Sequence, residues 1–198
     1  MPGTTTQHKV QFGLSNVHYA VYDPEDGTYG TPKAWPGAVS MTINAEGSQD
    51  KHYADNVVWF VGNSNSGYTG SVEMRYMDDD TKVDLLNYKK GANGVVYEDT
   101  QAFPPEVALM YEINGNIEQK RYTLYNVTFS RPGGDHSTTE DSVTPTNAAL
   151  DFTAAGRDFD GVGNVTIGHV SSDDDAYDTY FDAVTPPTAP SAEPGGQG

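Results

Sequence analysis

Residues 53–77 constrain the fold of this chain more than any other stretch. They run Tyr-Ala-Asp-Asn, then Val57-Val58-Trp59-Phe60-Val61, then the polar Gly62-Asn63-Ser64-Asn65-Ser66-Gly67, then Tyr68-Thr69-Gly70-Ser71-Val72-Glu73-Met74-Arg75-Tyr76-Met77. Two β-rich runs joined by a Gly/Asn/Ser cluster predict a hairpin whose loop is 62–67. The second arm alternates, with Val72, Met74 and Tyr76 on one face and Glu73 and Arg75 on the other. The first arm is apolar on both faces, which predicts a strand inside a sheet covered on both sides. Such a hairpin needs partners, from this chain or from neighbouring copies.

The flanking segments read as further strands. Residues 10–22 form a candidate strand broken at Gly13, and Asp23-Pro24-Glu25-Asp26-Gly27 is a turn. Residues 28–37, with Pro32 and Pro36, predict an irregular but ordered loop anchored by Tyr29 and Trp35. Residues 38–46 are the cleanest amphipathic strand, Val39, Met41, Ile43 and Ala45 opposing Ser40, Thr42, Asn44 and Glu46. A helix is predicted over 78–91, with acids first, lysines last, Gly91 as a stop, and Val83, Leu85 and Leu86 as its buried stripe. Residues 107–113 alternate and lead to Asn114-Gly115, a strong hairpin turn, with a return strand over 117–131. A strand around 148–154, a turn-rich connection over 156–163 and a second short helix opening at Asp173, with Ala176, Tyr177, Tyr180 and Phe181, complete the pattern. The organisation expected is a flexible arm at 1–9, one domain over 10–184 and a Pro/Gly-rich extension over 185–198.

Glycine (21) and tyrosine (13) are abundant, which favours a β-rich chain with many turns. With no cysteine, disulfides and thiolate metal sites are excluded. No apolar run approaches the roughly 18 residues of a membrane helix, and the first residues lack the basic and apolar segments of a leader. Asp and Glu number 28 against 11 Lys and Arg, a net −17, so a phosphate backbone is repelled rather than gripped. Catalytic patterns are missing. His8, His18, His52, His136 and His169 share no metal-ligand spacing, and 62–67 lacks the Gly-x-Ser-x-Gly of a nucleophile elbow. Asp158-Phe159-Asp160-Gly161 reads as a turn rather than a calcium loop, and Asp78-Asp79-Asp80 as helix capping rather than a cation site. The expectation is therefore no enzyme, no cofactor and no metal.

Several segments taken in order resemble one family. They are 12–21 (Phe-Gly-Leu-Ser-Asn-Val-His-Tyr-Ala-Val), Tyr29-Gly30-Thr31-Pro32, Pro36-Gly37-Ala38-Val39-Ser40, Glu46-Gly47, Tyr53-Ala54-Asp55-Asn56, 65–70 (Asn-Ser-Gly-Tyr-Thr-Gly), and Leu124-Tyr125-Asn126 with Arg131-Pro132. Together they resemble the major tail proteins of long, non-contractile-tailed bacteriophages, over about residues 10–184. The resemblance implies a mainly β protein, a β-sandwich or half-barrel tail-tube fold with a flanking short α-helix, whose strands complete an inter-subunit β-barrel. It implies a virion protein assembled in the host cytoplasm as hexameric rings stacked into a tail tube. DNA passes through such a tube without specific binding, no membrane is involved, and the partners are further copies, a tape measure protein and tail terminator and distal tail proteins. On this reading Ser40, Thr42, Asn44, Glu46 and Glu73 face the lumen, where acidic groups keep DNA from adhering over the ~8 Å reach of a charge at physiological salt. The segments 28–37 and 62–67 make contacts between subunits or rings, through Tyr29, Trp35, Asn63, Asn65 and Tyr68. The competing reading is a secreted carbohydrate-binding or Ig-like adhesion module.

Overall fold

The computed structural model describes residues 10–115, 118–133 and 147–190. The expected arm at 1–9 with His8, together with His136 and the end of the C-terminal extension, lies outside these residues.

Strand β1 (Gln11–Asp23) carries Gly13 at φ +79, with a bulge between Gln11 and Leu14, so the glycine bends the strand without ending it. The turn that follows closes when Gly27, at φ +69, donates its N–H to the Asp23 carbonyl at 2.9 Å. Residues 28–37 are more regular than their prolines predict. β2 (Thr28–Tyr29) and β3 (Lys33–Ala34) each pair with β1, because two-residue ladders fit on either side of Pro32.

β4 (Ala38–Ala54) and β5 (Val57–Met74) form a single hairpin much longer than expected. Its turn is Asp55-Asn56, both left-handed at φ +51 and +63, which is the geometry that joins two twisted strands with two residues. The stretch 62–67 is therefore strand and not loop. Gly67 serves close backbone approach instead: at φ +101, a Cβ on it would sit 2.2 Å from the Ala154 carbonyl oxygen.

Helix α1 (Asp79–Leu86) is shorter than predicted. The Asp78 carboxylate accepts the Thr81 N–H at 2.7 Å, as its capping role requires, but Asn87 at φ +56 stops the helix a turn before Gly91. The lysines form β6 (Lys89–Lys90), which pairs with β7 (Val96–Tyr97). Leu85 and Leu86 are buried as expected, while Val83 is only half-buried.

The centre of the sheet is β8 (Val107–Gly115) against β9 (Lys120–Phe129); Asn114 and Gly115 end β8 rather than form the turn. β10 (Ala148–Ala155) follows, then the small ladder of β11 (Arg157–Phe159) with β12 (Gly163–Val165), then β13 (Ile167–Ser171). The second helix expected at Asp173 is absent. Successive tight turns take its place, with Tyr177 N–H to Asp174 and Tyr180 N–H to Tyr177, and they are fixed by side chains that the sheet below them receives.

All pairings are antiparallel, in the order β2-β1-β8-β9-β10-β5-β4. One edge of β9 is shared, β13 taking 120–124 and β10 taking 126–129, so the sheet divides there and curls. β4, at one end, and β1, next to the two-residue β2 at the other, come close together without a ladder between them. The fold is mainly β, a half-barrel flanked by one short helix among the described residues, and the barrel stays open. Val17, Tyr19, Trp35, Val72, Met74, Leu109, Leu124, Phe129 and Phe152 fill its concave side with α1.

Candidate assembly surface

The sheet's far side is covered by the segment after β13. There the Arg121 guanidinium donates to Glu112 Oε2 at 2.8 Å and to the Tyr177 carbonyl, and lies 3.9 Å from the Tyr177 ring centre. Thr123 donates to the Tyr180 hydroxyl at 2.8 Å, Tyr125 donates to the Thr185 carbonyl at 3.0 Å, and Phe181 stacks on His18 at 4.4 Å. This strap seals the face carrying Ala108, Met110 and Glu112, which sequence alternation alone leaves to solvent. Burial beneath the strap pushes the hydroxyls of Tyr125 and Tyr180 up from the ordinary tyrosine range, and burial on the opposite, core face of β8 does the same for Tyr111.

The hairpin of β4 and β5 has two different halves. Near the sheet, β5 runs between β4 and β10, with Ser40 opposite Glu73, Thr42 opposite Ser71 and Asn44 opposite Thr69. The five residues expected to face a wet channel do share one face. Ser40 donates to Glu73 Oε2 at 2.9 Å, Asn147 donates to Glu73 Oε1 at 2.7 Å, and Thr69 donates to Glu46 Oε1 at 2.8 Å. The hydrogen bonds from Asn147 and Ser40 hold the Glu73 carboxyl below its usual range, so it is ionised at neutral pH. Asp151, opposite Ser71 on β10, adds a third carboxylate, and Arg75 closes one end through Asn147 at 3.0 Å. The result is a hydroxyl-rich, solvent-facing, predominantly acidic sheet surface.

Past a bulge at Glu46/Gly47, where Ser66 is left unpaired, the hairpin leaves β10 and continues as a free two-stranded ribbon. The β4 arm there is polar, Ser48 bonding Ser64 and Gln49 donating to Asn63 at 3.0 Å. The β5 arm is the apolar run, and contrary to the sequence expectation it is uncovered on both faces: Val57, Val58, Trp59, Phe60 and Val61 are all exposed, Trp59 by 77 %. Neither this arm nor the outer edge of β4 has a further strand beside it among the described residues.

The residues expected to make contacts through loops divide. Trp35 is buried in the core, edge-on to Tyr19 at 6.2 Å and to Phe129 at 6.1 Å, because β3 turns it inward; it anchors its own subunit. Tyr29 donates its hydroxyl to the Tyr125 carbonyl, and Tyr68 is half-buried against the core. Asn63 and Asn65 are exposed, but on a strand rather than a loop. Sequence reasoning missed Trp59 and Phe60 as surface groups, having placed them inside a sheet. It also missed the open seam between β1 and β4, a groove of about 330 Å³ lined by Leu14, Met41, Ile43, Tyr111, Ile113 and Tyr122. Among the described residues no group of three His, Cys, Asp or Glu side chains is placed to hold a metal ion.

No protein-family model matches the chain, and comparison with curated proteins finds no match.

Proposed function

We propose that this protein is a self-assembling structural subunit whose copies join head-to-tail into closed rings, and that stacked rings form a tube. The observation that carries this reading is the free ribbon. It holds five consecutive exposed apolar residues on a strand that, among the described residues, has β4 on one edge and nothing on the other, in a chain of net charge −17. Isolated two-stranded ribbons are marginal in water, and exposed flat apolar edges aggregate unless a partner covers them. A heterologous contact that closes by rotation provides that cover without leaving edges free. The segments that resemble phage major tail proteins give the six-fold ring and the passage of DNA. The face built by Ser40, Thr42, Asn44, Glu46 and Glu73 suits a lumen lining that repels phosphate.

Light scattering on the purified protein, with negative-stain imaging of the same fractions, tests the reading. Rings of about six copies, or tubes of constant bore, are the outcome expected for a closed heterologous assembly. A monomer at every concentration would exclude it.

A further inference from the structure

We propose that the apolar run 57–61 of one copy lies in the open seam between β1 and β4 of a second copy. The inference deepens the self-assembly reading and rests on it, naming the donor and the acceptor.

The donor is a strand with apolar side chains on both faces and a backbone edge that β10 does not cover, since β10 pairs only with residues 68–74 of β5. The acceptor is the seam, where the curled sheet fails to close. Its floor is Tyr111, Ile113 and Tyr122, its walls are Leu14 on β1 and Met41 and Ile43 on β4, and the outer edge of β4 beside it has no strand partner among the described residues. The β4–β5 ladder shifts register between the pairs His52–Phe60 and Tyr53–Val58, so Trp59 has no residue opposite it on β4 and is the side chain the tip presents to the groove.

Charge selects the same pair of surfaces. From Asn56 to Val72 there is no Asp, Glu, Lys, Arg or His, and none of the six groove residues is one of these either. In a chain at −17 these are places where two copies can meet without charge repulsion.

The occupant cannot be the chain's own ribbon. Met41 and Ile43 lie on the same strand that carries the tip, and the ladder from Gly47 to Ala54 holds that tip roughly 25 Å away at about 3.3 Å per residue. Reaching its own seam would require breaking the ladder.

Large aromatics bury about 150–250 Å² each, so five residues fall short of the ~1,600 Å² of a stable pairwise interface. One filled seam is therefore a weak contact. Association becomes firm only when every seam in a closed ring is filled, and this gives a steep concentration dependence.

The cysteine-free chain allows a direct test. Trp59→Cys and Met41→Cys, prepared separately, are mixed in equal amounts and oxidised. Disulfide formation needs Cα atoms within roughly 7 Å, so a crosslinked dimer is expected in the mixture and in neither variant alone. Rings or tubes that form without the mixed crosslink, or with tip-to-tip crosslinks instead, overturn the seam as acceptor and leave self-assembly standing. No assembly of the parent chain at any concentration removes both. Trp59→Asp supplies an independent readout: the monomer folds with an unchanged urea midpoint, because Trp59 is exposed, and self-association weakens by at least about tenfold. Unchanged association in Trp59→Asp overturns the proposal.

Discussion

Residues 107–111 (Val-Ala-Leu-Met-Tyr) and 57–61 (Val-Val-Trp-Phe-Val) are both unbroken apolar runs on strands, yet all of the first are buried and all of the second exposed. The difference lies in what the rest of the chain supplies. β8 has β1 and β9 as neighbours, the half-barrel core on one face, and Tyr177 and Tyr180 in the strap on the other. Among the described residues the tip of β5 has only β4 beside it and no covering layer. A strand without an apolar-polar alternation thus states that both faces are to be covered, and leaves open whether the cover is intramolecular.

The comparison breaks most visibly in base. Tyr29 is pushed up to about 12, and Tyr19, Tyr111, Tyr125 and Tyr180 are also raised, in each case chiefly by burial. An unfolded tyrosine releases its proton near pH 10, so above that the unfolded chain binds fewer protons than the folded one. The stability these groups contribute is whole below about pH 10 and is lost as pH rises through their folded values. Cooperative unfolding of the β8–β9 half is expected between about pH 10 and 12, followed by tyrosinate absorbance and circular dichroism. Absorbance that titrates smoothly from pH 10 with the dichroism intact would mean that these five tyrosines are not sealed from water.

Point changes separate the two regions next. Phe129→Ala, which empties a site between Trp35 and Phe152, is expected to cost about 3–5 kcal/mol in urea unfolding. Trp59→Ala is expected to leave the monomer within about 0.5 kcal/mol of the parent. Glu112→Ala strands the Arg121 guanidinium beneath the strap and is expected to cost about 3 kcal/mol, somewhat less if water reaches the partly open pair. In that variant the strap should become the first site of limited proteolysis, while the tip of β5 is cut no faster than before. Equal costs at Phe129 and Trp59 would mean that the ribbon is part of the core after all.

The sequence made the first half of this contrast legible and hid the second. Alternation placed Val107, Leu109, Tyr111 and Ile113 on the core face of β8, and the polar set of β4 falls on one face as its spacing predicts. Asp78 caps the helix as its position suggested. The hairpin turn was misassigned because Gly and Asn were abundant at 62–67, whereas the residues adopting left-handed geometry are Asp55 and Asn56. The unbroken apolar run 57–61 misplaced Trp59, because such a run reports that both faces of a strand are to be covered and not which chain covers them. The strap was legible only in part. Tyr177, Tyr180 and Phe181 fall at helical spacing and so point to a helix, whereas the i→i+3 turns that present them carry no periodic signal.

The smallest effect belongs to the turn itself. Asn56 sits at φ +63, a conformation that glycine reaches without the Cβ penalty, so Asn56→Gly in an Asp-Gly turn is expected to favour the ribbon by a few tenths of a kcal/mol. That gain should not move the global urea midpoint, because the ladder beyond Gly47 and Ser66 opens independently of a core it does not touch. Amide hydrogen exchange separates the two outcomes. Protection should rise modestly over 48–64 in the monomer and stay constant over 107–129. If Asn56→Gly raises protection in both regions, the ribbon and the half-barrel open as one unit, and the exposed run of β5 is stabilised from within the chain rather than waiting for a neighbour.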